Sequence, residues 1–224
     1  MFDKLGRFNM WPIDPVKNDW TEDQVFDMFQ FLGEIVSKPM SGWHHHEADC
    51  GLHPEEFDQE SAKREYVLLV NRGLRRYSIG WEMRADLSIV ELPPVGLGQL
   101  VRAKIPNAID ADSRDRITSA IEKYQRRGAS RSDRKDAVRD LGDVLELYRN
   151  ETKSILGKTE GDLFNVLNNF GIRHHNANQK VDYDAIFLAA QFYHFLNMIH
   201  VLAHILKRQQ NGSSKAPGAD AHLA

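Results

Sequence analysis

The sequence predicts a mainly α-helical protein, a helical bundle with a small β-hairpin in its N-terminal half. Two long segments, 132–156 and 185–206, carry apolar residues at helical spacing. The stretch Thr-Glu-Asp-Gln at 21–24 has the pattern of a helix capping box and precedes a third apolar-periodic run. Helices therefore account for most of the predicted elements.

The N-terminal portion, residues 1–110, is predicted to begin irregularly and then to combine two helices with the hairpin. The helix boundaries follow from capping residues and prolines, and the hairpin follows from two short β-rich runs around turn residues. The predicted elements are a helix from Thr21 to before Pro39, a histidine-rich loop over 40–57, a helix from Asp58 or Ser61 to about Tyr77, strands 78–83 and 87–92 around Ala85-Asp86, and a short helix near 97–101.

The C-terminal portion, residues 111–209, is predicted to be entirely helical and to precede a disordered tail over 210–224. Glycines mark the predicted helix ends, and serine or aspartate marks the starts. The predicted elements are a helix from Asp112 to a cap at Gly128, a long helix capped by Ser132 and ended by Gly157, a short helix over 159–170, a loop over 172–181, and a last helix capped by Asp182.

The composition favours a soluble, cytoplasmic protein. Apolar residues make up 42% and charged residues 27% of the 224 residues, and the formal net charge is -3, so no overall basic character indicates nucleic acid. Cys50 has no cysteine partner within the chain, which favours a reducing compartment. Five polar residues interrupt the apolar segment 185–206, which favours a core or interface helix and no membrane association.

The leading candidate site is the loop Arg173-His174-His175-Asn176, with Lys180 close by. An arginine can hold a phosphate through two parallel hydrogen bonds, and a histidine can exchange a proton near neutral pH. These residues therefore suit metal-independent phosphate chemistry on RNA. The alternative is structural, because cations favour a helix C-terminus and asparagine favours a turn.

A polar stripe marks the last helix. At 100° per residue, His194, Asn197, His200 and His204 fall within about a third of its circumference. One interpretation is that these side chains assist the reaction at the loop 173–176. The other is that the histidines are buried in the core with their hydrogen bonds satisfied. Because the helix is apolar over most of its surface, it is expected to be central or to form a dimer interface.

Two further clusters invite a functional interpretation. Arg126, Arg127 and Arg131 have a local excess of positive charge that suits an RNA backbone, although the surrounding run of charges is mixed. The segment His44–His53 is rich in zinc-ligand types but lacks a second spaced pair, so a solvated loop is the default and metal binding the alternative. Neither a metal nor another cofactor is predicted.

The C-terminal sequence resembles a known family. The residues Arg-Arg-Gly-Ala at 126–129, Asp-Leu-Phe-Asn at 162–165 and Asn-Asn-Phe-Gly-Ile-Arg-His-His-Asn at 168–176, followed by the last helix, are similar to the HEPN-type domains of prokaryotic abortive-infection and toxin proteins. The segments that precede such domains are similar to Val-Asn-Arg-Gly-Leu at 70–74, Gly-Trp-Glu at 80–82 and Ile-Val at 89–90.

The resemblance implies a small helical bundle that dimerises across a polar motif placed before its final helix. It implies a metal-independent ribonuclease of phage defence or stress, with the catalytic residues Arg173, His174, His175 and Asn176. The family spaces a histidine several residues after the arginine, whereas here His174 follows Arg173 directly. Two hypotheses therefore stay open, a ribonuclease and a non-catalytic binding or dimerisation module, each a homodimer through its C-terminal helices.

Overall fold

The structure of the protein is a computed structural model that describes residues 20–44, 51–77, 80–157, 161, 165 and 184–213. Within these ranges it is dominated by helices and contains two separate antiparallel strand pairs, which confirms the mainly α prediction. The chain divides into two compact units, Met1–Leu92 and Pro93–Ala224.

The N-terminal unit contains two long helices, of which the first begins at the predicted cap Thr21 and the second at Asp58, one of its two predicted starts. The amide of Gln24 donates to the Thr21 hydroxyl at 3.3 Å, and the Thr21 amide donates to the Gln24 side chain at 2.8 Å. Asp58 caps the second helix by accepting from the Ser61 amide at 2.8 Å. The elements of this unit are α1 Glu22–Ile35, β1 Lys38–His44, β2 Leu52–Asp58, α2 Gln59–Leu74, β3 Trp81–Met83 and β4 Ile89–Glu91.

The prediction of a loop over 40–57 was wrong for residues 40–44 and 52–57, because β1 and β2 pair as an antiparallel hairpin. Nearly every side chain of both strands is exposed, so no alternation of apolar and polar residues indicates the strands. The two strands are held together by backbone hydrogen bonds, and their backbones approach each other closely at Gly42. A Cβ at Gly42 would lie 2.1 Å from the carbonyl oxygen of His53, so only glycine fits there.

The predicted hairpin of 78–83 and 87–92 is confirmed in a shorter form, as β3 and β4. Asn71 of α2 holds this hairpin against the helix, because its amide donates to the Met83 carbonyl at 2.8 Å and accepts from the Met83 amide at 2.7 Å. The core of the unit comprises Phe26, Val70, Leu74, Met83, Leu87 and Ile89.

The C-terminal unit starts earlier than the predicted boundary at residue 110. Ile105 and Ile109 are buried in its core, so the segment 93–110 belongs to it. Asp110 caps the first long helix by accepting from the Ser113 amide at 2.8 Å. Its described elements are α3 Gly98–Arg102, α4 Ala111–Gln125, α5 Arg131–Leu147, α6 Arg149–Leu156 and α7 Ala185–Ser213.

The long helix predicted to start at Ser132 starts instead after Ser130 and divides at Tyr148. Ser130 and Asp133 form a capping box in which the Ser130 amide donates to the Asp133 carboxylate at 2.9 Å. At the division, the Tyr148 hydroxyl donates to the Asp110 carboxylate at 2.5 Å. This hydrogen bond, followed by those from Ser113, lowers the pKa of Asp110 to about 2.

The last helix is the centre of the C-terminal unit. Phe192, Phe195, Leu196 and Ile199 are fully buried in a core to which α4 and α5 also contribute. In length and composition α7 also meets the requirements of a membrane span, and half of that stretch is buried within the protein. The helix continues through Ser213, past the predicted start of the tail. The predicted cap Asp182 and most of the predicted helix over 159–170 lie outside the described residues.

Candidate functional site

The described residues contain only part of the predicted site. Arg173, His174, His175, Asn176 and Lys180 lie outside them. The supporting residues on α7 and the arginines at the turn between α4 and α5 are described.

In the middle of α7 the exposed residues form a single narrow stripe. Within the described stretch from Leu188 to Ala203, only Ala190, His194, Asn197 and Val201 are exposed. Their spacing alternates between four and three residues, and the pattern continues outward to Phe187 and His204, which are also exposed. We call this stripe of six residues the α7 seam. An average spacing of 3.5 residues is the repeat of helices that pack along one another in coiled coils.

An open cleft runs between α7 and the segment that contains α3. Its volume is about 700 Å³. The helix contributes Tyr193, His194, Asn197 and His200, and the facing segment contributes Gly96, Leu97, Gln99, Leu100 and Ala103. We call it the α3–α7 cleft. It brings together the three residues that the sequence analysis assigned a supporting role, namely His194, Asn197 and His200.

His200 is the buried member of this group. It is 7% exposed, and its Nε2 lies 3.1 Å from the carbonyl oxygen of Leu100. Burial lowers the pKa of His200; the hydrogen bond to Leu100 opposes that effect, and the nearby His204 adds to it. A carbonyl can only accept, so the neutral ring carries its proton on Nε2 and donates it to Leu100. His200 therefore fits the satisfied core histidine of the sequence analysis, and it holds α3 against α7.

His194 and Asn197 differ from His200 because both are exposed. They offer the cleft an imidazole and an amide, and Gln99 on the opposite wall offers a second amide. Among the described residues, those that line the cleft include no carboxylate and no Lys or Arg, so these residues would recognise a ligand through hydrogen bonds and the imidazole.

The predicted basic residues lie at the turn between α4 and α5, where Arg126 forms an ion pair with Asp133 at 3.2 Å. From this turn a row of cations runs along α5 at intervals of four residues, comprising Arg131, Lys135 and Arg139. We call these three residues the α5 basic row. The pKa of Lys135 is lowered by burial first and then by the positive charges of Arg131 and Arg139. The charges of the three side chains are therefore close enough to interact, although Arg139 also pairs with Asp136 at 2.6 Å.

An aromatic contact joins the basic turn to the cleft. Tyr124, two residues before Arg126, stacks on Phe192 with ring centroids 3.9 Å apart. The same ring meets Tyr193, which lines the cleft, edge-on at 6.0 Å. The guanidinium of Arg134 lies 5.4 Å above the Tyr124 ring. These contacts place the Arg134 guanidinium of α5 near Tyr193, at one end of the α3–α7 cleft.

The histidine-rich segment of the N-terminal unit shows a different arrangement. His44 ends β1, and His53 of β2 stacks on Trp43 with ring centroids 4.5 Å apart. Residues 45–50, including Cys50, lie outside the description. Among the side chains that are described, no group of three or more potential ligands could hold a metal ion.

The comparisons with known proteins do not place this chain in a family. No protein-family model, curated protein or solved structure matches it. The resemblance to HEPN-type domains therefore depends on the motif residues alone.

The buried histidine makes the stability of the C-terminal unit depend on pH. Because its pKa is lowered on folding, the unfolded chain binds a proton on His200 more readily than the folded chain does. We expect the free energy of unfolding to fall as the pH drops below about 6.5, and to level off below the pKa of the folded state. His200→Gln keeps an N–H donor for the Leu100 carbonyl but cannot titrate in this range. It should therefore lose this part of the pH dependence of the free energy of unfolding.

The measurement is urea denaturation followed by circular dichroism between pH 7.5 and pH 5. The matched control is His194→Gln, which changes an exposed histidine on the same helix and should retain the wild-type pH dependence. If His200→Gln and the wild-type protein lose stability in parallel over this range, the assignment of His200 as a buried neutral group is wrong.

Proposed function

We propose that this chain is a HEPN-like protein of a prokaryotic defence or stress system that acts on RNA in the cytoplasm. In this proposal its C-terminal unit is a HEPN-type helical bundle. The observation that supports the proposal best is the α3–α7 cleft, where His194, Asn197 and His200 come together beside a turn that begins a row of cations. Cations attract the phosphate backbone, and the polar groups of the cleft can orient it.

The proposed reaction is metal-independent cleavage next to an RNA 2′-hydroxyl. One histidine, His174 or His175, takes the hydroxyl proton while the oxygen attacks the neighbouring phosphorus. The bond to the 5′-oxygen breaks, and that oxygen leaves with a proton from the other histidine. Arg173 binds the phosphate and stabilises its developing charge, and Asn176 orients the phosphate or an imidazole.

The remaining residues bind and position RNA in this proposal. Lys180 and the arginines 126, 127 and 131 contact the phosphate backbone, and Lys135 adds to them as a member of the α5 basic row. His194 and Asn197 are exposed and can reach a ligand in the cleft. His200 acts through its hydrogen bond to Leu100, which keeps the opposite wall in place.

Substitution of the arginine tests catalysis directly. We expect Arg173→Ala to reduce cleavage of single-stranded RNA or transfer RNA by at least about 100-fold, because a group that stabilises transition-state charge is lost. The reaction contains EDTA, and product formation is followed on denaturing gels. The matched control is Arg72→Ala, which removes an exposed arginine from α2 and should leave cleavage unchanged.

Circular dichroism of both variants shows whether the fold is retained. Wild-type protein that leaves both RNA classes intact would eliminate the ribonuclease. Equal cleavage by folded Arg173→Ala and wild-type protein would remove Arg173 from the mechanism.

A second candidate function, a non-catalytic module that dimerises through its C-terminal helices, is favoured by the α7 seam. Phe187, Ala190 and Val201 give the seam apolar positions at heptad spacing, and Asn197 is a polar residue of the kind that fixes register in paired helices. A homodimer along this seam would also place two α3–α7 clefts near one another, because His194 and Asn197 belong to both features.

We expect Val201→Glu to convert a dimer into monomers, because it introduces a charge at an apolar position of the seam. Light scattering coupled to size-exclusion chromatography measures the mass. Lys207→Glu is the control, since it makes an exposed substitution on the same helix outside the seam. A dimer that withstands Val201→Glu, or a wild-type protein that is monomeric at high concentration, would contradict pairing through α7.

A further inference from the structure

A second cavity, of about 560 Å³, lies within the N-terminal unit between α1 and α2. This volume falls in the range of small-molecule sites, which is roughly 300 to 1,000 Å³. The cavity lies entirely within residues 20–77, whereas the α3–α7 cleft belongs to the other unit. The cavity is therefore distinct from the cleft at which RNA is proposed to bind.

Aromatic side chains form much of the wall. Tyr66 of α2 faces Phe29 of α1, and its hydroxyl donates to the Phe29 carbonyl at 2.9 Å. Burial raises the pKa of Tyr66 to about 12, so the phenol stays neutral. Phe26 supports the wall from behind, with edge-on contacts to Tyr77 at 6.4 Å and to Trp81 at 5.2 Å. These contacts fix the rings, which leaves flat apolar faces for a ligand to pack against.

The polar character of the cavity comes mainly from one carboxylate. Among the described residues that line it, Glu22 is the only charged one, and Trp20 and Tyr77 lie at the same end of the helix pair. The Tyr77 hydroxyl donates a hydrogen bond to Glu22. A carboxylate can accept several hydrogen bonds, so Glu22 can accept another from a ligand. The described lining contains no Lys, Arg or His that could pair with a negatively charged ligand, so Glu22 would repel such a ligand.

Gly73 helps to keep the cavity open. A Cβ at this position of α2 would have no neighbour within 4 Å, and the backbone there is helical. Glycine inside a helix costs about 0.5 to 1 kcal/mol relative to alanine. A larger side chain at Gly73 therefore fits the backbone and enters space next to the cavity.

From the size, the aromatic walls and the single carboxylate, we infer that this cavity binds a compact apolar molecule with two or three rings and one N–H or O–H donor directed at Glu22. The rings pack between Phe29, Tyr66 and Leu69, and the donor meets the carboxylate at the Trp20 and Tyr77 end. The ligand class is thus neutral or cationic aromatic amines and alcohols, and aromatic acids are excluded by charge.

The test uses N-phenyl-1-naphthylamine, a neutral aromatic amine with one N–H donor, and the full-length protein. We expect saturable binding of one molecule per chain by fluorescence and by calorimetry. 1-Naphthoate, an aromatic acid, should bind at least about tenfold more weakly because it would place its charge beside Glu22. Absence of saturable binding of the amine, or equal binding of the acid, would overturn the inference.

Two matched pairs of variants locate the site. Gly73→Leu should weaken binding of the amine at least about tenfold by occupying part of the cavity, whereas Gly73→Ala should retain it. Leu69→Ala should weaken binding by roughly fivefold. Leu68→Ala changes an equally exposed neighbour outside the lining and should have no effect, since Leu68 and Leu69 are 63% and 61% exposed.

Circular dichroism confirms that each variant keeps its helices. Folded Gly73→Leu that binds like the wild-type protein would show that the dye lies elsewhere and would refute the site. None of these outcomes depends on RNA cleavage, so failure here and failure of the proposed ribonuclease are separate results.

Discussion

The burial of α7 is the constraint on which the rest of the C-terminal unit depends. Phe192, Phe195 and Ile199 are completely buried, and each such side chain contributes roughly 1.5 to 3 kcal/mol on removal from water. Tyr124 stacks on Phe192 at 3.9 Å and so brings the end of α4 against the same helix. Because α4, α5 and α3 pack against the middle of α7, the exposed positions between Leu188 and Ala203 all belong to the α7 seam, and the exposed polar groups of that stretch, His194 and Asn197, lie on it.

The short helix α3 forms a cleft beside the α7 seam. His200 binds the carbonyl of Leu100, a residue one hundred positions earlier in the chain, and this contact makes one wall of a cleft. A neutral histidine suits this role because it can be buried at lower cost than a charged one and still donate a hydrogen bond. The cleft therefore derives its shape from His200 and its accessible polar groups from His194 and Asn197.

Local signals in the sequence were enough to predict much of the fold. The sequence predicted Thr21 as a cap because Gln24 lies three residues later, and it allowed either Asp58 or Ser61 as the start of the second helix, of which Asp58 is the observed cap. Ser130 was missed because its capping box uses an aspartate, Asp133, in place of the usual glutamate or glutamine. The hairpin of β1 and β2 was missed because backbone pairing stabilises it while its side chains face solvent.

The candidate site was predictable to a smaller extent. Angular position on a helix was sufficient to group His194, Asn197 and His200. Angular position could not distinguish the exposed His194 and Asn197 from the buried His200, because the burial of His200 depends on its contact with α3. Tyr193 was missed for a similar reason, since an aromatic residue in an apolar helix looks like any other core residue until its neighbours are known.

Nuclear magnetic resonance of the isotopically labelled full chain, titrated with a short single-stranded RNA, tests directly whether RNA binds at the α3–α7 cleft. Binding there should cause saturable shifts of the amides of Gln99, His194 and Asn197, together with those of Arg131 and Lys135 on the α5 basic row. Shifts confined to the N-terminal unit, or the absence of saturable shifts, would contradict it.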